Sequence, residues 1–197
     1  MSRVWSRDDN PVVYIDISSS GGTKLLTGKI SEPQLLGRMY FELRRDIVPI
    51  ACSNFLALIT GIRGVGADGV PYRYKGTKLF RVTSDLTFVG GDLLNEKGGC
   101  SKSAHNGGYF QDENFILRHT GPGCISMSNL GPDTNGSIFQ VTFREMKEMD
   151  ERYVVFGYLV THESFEVLHK INTYGTEWGD PTEELTITDC GVAYPYS

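Results

Sequence analysis

Eight short runs of strand-forming residues, separated by glycine-rich turns and broken by only two helical stretches, constrain this 197-residue chain most. The runs lie at 12–17, 38–43, 77–83, 87–90, 123–127, 139–142, 154–160 and 185–189. Val154-Val155-Phe156 is continuously apolar, as in a strand buried on both faces, whereas Arg38-Met39-Tyr40-Phe41-Glu42-Leu43 alternates in part. Eight such strands with two helices predict a mainly β protein, a closed antiparallel β-barrel capped at its ends. The 23 glycines, with 10 Phe and 10 Tyr, favour turns and strands over a helical bundle. The length suits a single domain.

The first helical stretch follows Asp46-Ile47-Val48-Pro49 and runs through Ile59. Pro49 fits a first helical turn, where its missing N–H is not needed. Phe55, Leu58 and Ile59 share a face, and Gly61 can end the helix in a left-handed conformation. The second spans 162–174, where Phe165, Leu168 and Ile171 recur every three residues and Gly175 follows. Long loops are expected at 18–36, 61–74 and 95–109, and loops of this length in a compact domain are often functional.

The net charge of −5 leaves no basic footprint for nucleic acid. No apolar run approaches the ~18 residues of a membrane helix, and Met1–Pro11 lacks the apolar core of a signal peptide. The expectation is a soluble cytoplasmic protein, the nucleus remaining open, that binds neither nucleic acid nor membrane. Cys52, Cys100, Cys124 and Cys190 form no C-x-x-C pair, and His105, His119, His162 and His169 form no metal-ligand motif. No metal and no cofactor is expected. Asn135-Gly136-Ser137 fits a glycosylation sequon, but without a secretory signal the match means little.

Gly64-Val65-Gly66-Ala67-Asp68-Gly69 matches G-x-G-x-x-G, yet a helix precedes it and Val70-Pro71-Tyr72 follows, so a turn explains it better than a dinucleotide site. Ser101-Lys102-Ser103 lacks the glycine that a phosphate loop needs before its lysine. There is no G-x-S-x-G. One constellation remains. The run Phe110-Gln111-Asp112-Glu113-Asn114-Phe115-Ile116-Leu117-Arg118-His119-Thr120-Gly121-Pro122-Gly123, continuing through Ile125–Asn129 and Thr134-Asn135-Gly136-Ser137, resembles the central signature of cyclophilins. Lys75-Gly76-Thr77, Arg81 and Gly90-Gly91-Asp92 fit upstream; Val154-Val155-Phe156-Gly157 and Asp189-Cys190-Gly191 fit downstream. The resemblance covers Pro11 to Gly191. It divides the chain into an extension, 1–10, and one domain, 11–197, with insertions near 18–36 and 66–74.

The resemblance implies an eight-stranded barrel with two capping helices, and an activity of cis–trans isomerisation at X–Pro bonds in protein folding. Its partners would be proline-containing peptides or proteins, met by a monomer. It places Arg81 where the catalytic arginine stands. It assigns the substrate groove to Leu86, Thr87, Val89, Gly98, Ser128, Asn129, Leu130, Ile138, Gln140, Glu148, Met149 and Tyr153.

That groove departs from the family pattern. Where the family has Phe-Met-x-Gln, this chain has Leu86-Thr87-Phe88-Val89; Gln-Phe-Phe becomes Ile138-Phe139-Gln140. A tryptophan aligns with Glu148 and a histidine with Tyr153. The missing glutamine would orient the arginine, and Val89 cannot hydrogen-bond. Losing one ring-sized apolar contact costs about 1.5–3 kcal/mol. Weak or absent binding of cyclosporin, the family's cyclic peptide inhibitor, follows from the same changes. Two functions stay open on the sequence: an isomerase of weakened activity, and a barrel that kept the fold for binding after losing catalysis. A third, a structural part of a larger assembly that uses the 18–36 insertion, ranks behind them.

Overall fold

The computed structural model describes residues 10–22 and 27–194. The expected extension at 1–10 lies, but for Asn10, outside the described residues. Eight strands form one antiparallel sheet: β1 (Val12–Ser19), β2 (Gln34–Leu43), β3 (Arg81–Thr83), β4 (Thr87–Gly90), β5 (Cys124–Met127), β6 (Phe139–Thr142), β7 (Val155–Val160) and β8 (Leu185–Tyr194). Among the described residues two α-helices accompany them, α1 (Pro49–Thr60) and α2 (His162–Asn172). The spatial order is β3-β4-β6-β5-β7-β2-β1-β8. The sheet's two end strands, β3 and β8, do not pair with each other in this order; hydrogen bonds join β8 instead to the segment just ahead of β3. The Gly76 amide donates to Ile187 O at 2.8 Å, Leu79 to Leu185 O at 2.9 Å, and Ile187 to Thr77 O at 2.9 Å.

The core lies on one side of this sheet. Val13, Ile15 and Ile17 of β1 alternate inward, as do Met39, Phe41 and Leu43 of β2. Phe55 of α1 meets Phe139 edge-on at 5.4 Å and Phe156 at 4.9 Å, so the helix packs on the core face of the sheet through aromatic contacts. α1 begins with Pro49, and Gly61 caps its end at φ +65°. Its free N-terminal amides are satisfied from afar: the Glu113 carboxylate accepts from Ile50 and Ala51 at 3.0 Å, placing negative charge at the positive end of the helix.

Several expected boundaries move, for identifiable reasons. The 18–36 loop is shorter, because the β1–β2 ladder continues past a bulge at Ile17/Ser18 to pair Ser19 with Gln34. Its residues 23–26 lie outside the description. The 77–83 run keeps only Arg81–Thr83 as a strand, its first half bonding to β8 as an isolated bridge at Lys78↔Thr186. β8 runs on to Tyr194 because β1 pairs along it. On α2, Phe165 is 37% exposed and the buried face is Ser164, Val167, Leu168 and Ile171, the i, i+3, i+4, i+7 stripe.

Candidate active site

The alternation of three short strands builds one row across the sheet. Arg81 lies opposite Val89, Val89 opposite Gln140, and Gln140 opposite Ser126. The next row, Val82–Phe88–Val141–Ile125, is buried in the core. The period of two therefore turns Arg81, Val89, Gln140 and Ser126 to the other face. There a cleft of about 400 Å³ opens.

Arg81, Thr87, Val89, Gly98, Ser128, Asn129, Leu130, Ile138, Gln140 and Tyr153 line that cleft. Leu86, Glu148 and Met149 do not. Leu86 sits in the β3–β4 turn, its amide bonded to Thr83 O. Glu148 faces away to pair with Arg144 at 3.0 Å. Met149 is buried in the 3-10 turn Lys147–Met149. The cleft also takes in Phe80, Thr83, Lys97, Gly99, Ser101, Tyr109 and Thr134, which sequence reasoning missed. Phe80 and Thr83 flank Arg81 on the same segment, and Lys97 and Gly99 flank Gly98. Neighbourhood in the chain was the available signal.

The signature residues hold the frame of this cleft. Asp92, fully buried, accepts from the amides of Leu94, Glu96 and Gly98, which fixes the loop that brings Gly98 to the cleft. Ser101 Oγ accepts from Ser137 N at 3.3 Å, tying that loop to the entry of β6. Asn129 Nδ2 donates to Arg152 O at 3.1 Å, joining two walls. Behind Gln140 lies a buried chain of polar groups. Asp150 Oδ1 is 2.9 Å from His119 Nδ1, and His119 Nε2 is 3.0 Å from Ser126 Oγ. The carboxylate can only accept, so Nδ1 carries the proton and Nε2 accepts from the serine hydroxyl. Burial depresses the imidazole pKa despite the Asp150 hydrogen bond. Burial also pushes Asp150 up, but hydrogen bonds from the His119 amide and ring outweigh it and hold the carboxyl below its usual range.

The loop 61–74 braces the cleft's outer loop. Arg63 Nη1 donates to Ser103 O at 3.1 Å and Ala104 O at 2.7 Å, its guanidinium lies 3.9 Å from the Tyr72 ring, and Lys102 pairs with Asp68 at 2.6 Å. The G-x-G-x-x-G match falls in this segment and folds as a tight turn, with Gly66 N bonded to Val70 O.

Two features bear on chemistry. Among the described residues, no side-chain hydrogen bond or ion pair engages the Arg81 guanidinium, and Val89 opposite it offers none. Gln140, 7% exposed, is held by donating to Met127 O at 3.3 Å. The cleft thus presents a free cation above a floor that mixes Val89 and Ile138 with a fixed amide.

A family model described as cyclophilin type peptidyl-prolyl cis-trans isomerase/CLD matches residues 27–192. The chain belongs to that family, and the domain spans nearly its whole length. Proline-containing peptides are the family's substrates. No helix among the described residues is long and apolar enough to cross a membrane.

Proposed function

We propose that this cleft binds X–Pro segments and that Arg81 is the catalytic residue of a prolyl isomerase of weakened activity, acting in protein folding. The planar peptide bond resists rotation by about 18–20 kcal/mol. In the twisted transition state amide resonance is lost, and lone-pair density gathers on the proline nitrogen. A guanidinium donor beside that nitrogen stabilises the twisted form more than the planar one, and no covalent step is needed. The observation that carries this reading is the row Arg81–Val89–Gln140. It sets an unpaired guanidinium next to an apolar wall, in a cleft large enough for a proline ring.

The weakening rests on the same row. A guanidinium without a side-chain hydrogen bond among the described residues must be ordered in the transition state, and Gln140 puts an amide where an apolar ring contact would hold the proline. These two facts also favour a second reading, a binding module that retains the cleft without turnover. NMR exchange spectroscopy on an Ala-Pro peptide decides: exchange broadening with catalytic amounts of protein supports the enzyme. Peptide shifts without accelerated exchange support the module.

The same reading takes Thr87, Val89, Gly98, Ser128, Asn129, Leu130, Ile138, Gln140 and Tyr153 as the substrate contacts. It takes the domain as 11–197, since β1 pairs on both sides, and the sheet as a barrel closed through the Gly76–Leu79 bonds to β8. A cytoplasmic monomer with weak cyclosporin binding completes it.

A further inference from the structure

Trp178 is the most exposed large apolar side chain among the described residues, at 86%. Its backbone is nonetheless fixed. Gly179 N donates to Thr176 Oγ1 at 3.0 Å, and Thr176 Oγ1 donates to Asp180 O at 2.9 Å. The turn Thr176–Gly179 is laced to the outer edge of β3: Val82 N donates to Gly179 O at 2.8 Å, Thr176 N to Val82 O at 3.1 Å, and Ser84 N to Thr176 O at 3.1 Å. Gly179, at φ +90°, lies against the stem of Arg81; a Cβ there would stand 2.8 Å from Arg81 Cγ. Trp178 therefore sits in the turn bonded to the strand that carries Arg81, one residue before the glycine that touches the Arg81 stem.

The cleft also continues that way. A second hollow shares Phe80 and Lys97 with it and reaches Asp180 and Pro181 at the foot of the turn. Lys97 and Asp180 approach to 3.7 Å across this passage, so the charges there face each other. What is left unmatched is the indole. A large rigid aromatic surface held in water beside a binding cleft fits a contact completed by the ligand.

We infer that Trp178 is a specificity residue that stacks on an aromatic or bulky apolar side chain flanking the proline of the bound peptide. The inference rests on the X–Pro reading of the cleft. Neighbouring strands lie ~4.8 Å apart and an extended peptide advances ~3.3 Å per residue, so a turn one spacing outside β3 is met about two residues from the proline. Trp178 supplies from another element the aromatic face that Gln140 and Glu148 do not offer.

The test uses seven-residue peptides with a central proline, otherwise Gly and Ser, carrying one Phe moved through the remaining positions. The chain has two tryptophans, and Trp5→Phe leaves Trp178 as the only indole. Calorimetry and indole emission are read together. Phe about two residues from the proline should tighten binding roughly 10-fold over the Phe-free peptide and shift the emission. Trp178→Ala should erase that difference and Trp178→Phe keep most of it. A difference that persists in Trp178→Ala overturns the inference while the X–Pro reading stands. So does an emission shift that follows protein concentration without peptide, which would make a second copy of the chain the occupant. If no peptide binds the unmutated chain, the X–Pro reading fails and this inference with it.

Discussion

Arg81 keeps its charge free: it emerges from an edge strand, its stem rests on Gly179, and no carboxylate among the described residues claims it. If exchange is catalysed, Arg81→Ala should slow it about 10- to 100-fold, the worth of one charge-assisted hydrogen bond of ~1.5–3 kcal/mol; line-shape analysis on an Ala-Pro peptide reads it. The combined change Val89→Gln, Ile138→Gln and Gln140→Phe should raise the rate by more than the single changes do. An oriented arginine and a held proline are each of little use without the other. Gln140→Phe alone leaves Met127 O without its donor, and it should lower the melting temperature whatever it does to rate. Cyclosporin should bind weaker than micromolar by calorimetry, because Glu148 turns to Arg144 and gives no ring to the cleft. Glu148 also shows where alignment stops informing. A position can be matched in sequence, yet a neighbouring cation four residues away redirects the side chain.

Among the elements, those punctuated by proline and glycine were the most legible. α1 begins at Pro49 and stops before Gly61, as its sequence implied, since both residues act through their own backbone. Gly61→Ala should cost about 1–2 kcal/mol in urea unfolding, because φ +65° is a left-handed conformation and Arg73 Cβ would stand 3.2 Å away. Less legible were features set by distant partners. Ser18 and Ser19 look like loop residues and become strand because β2 and β8 both bond there. The 77–83 run looks like one strand and is split between two neighbours, a pairing that local pattern cannot encode. The face of α2 was misread because a spacing of three picked Phe165, while Val167 and Leu168 complete the stripe that packs on β2. The cleft inherits this division. Its walls follow from strand alternation and were recoverable. Lys97 comes from a loop whose placement depends on Asp92, and Tyr109 from a stretch held by the Ser103–Gly108 backbone bond.

For the molecule as a whole, acid is the expected weakness. His119 is buried as the neutral imidazole, and its pKa is depressed on folding, so the folded chain binds fewer protons than the unfolded one as pH falls below about 6.5. Asp150 is also depressed, and its contribution is lost at lower pH as it protonates. Both signs agree: stability is full near neutrality and declines on acidification. The melting temperature should fall between pH 7 and 5, and His119→Gln should flatten the upper part of that decline. The family was legible over most of the chain because its signature residues secure the frame: Glu113 caps a helix, Asp92 gathers three amides and His119 joins Ser126 of β5 to Asp150. Activity was less legible because the row beside Arg81 departs from the family pattern at Val89, Ile138 and Gln140. The turn Thr176–Gly179 has one more consequence. It occupies the donors and acceptors along the outside of β3, while Gly76–Leu79 does the same for Leu185–Ile187 of β8. Over these stretches the sheet presents no bare rim onto which a stray strand could zip, so the chain is guarded against fibril-like accretion where a β protein is most vulnerable.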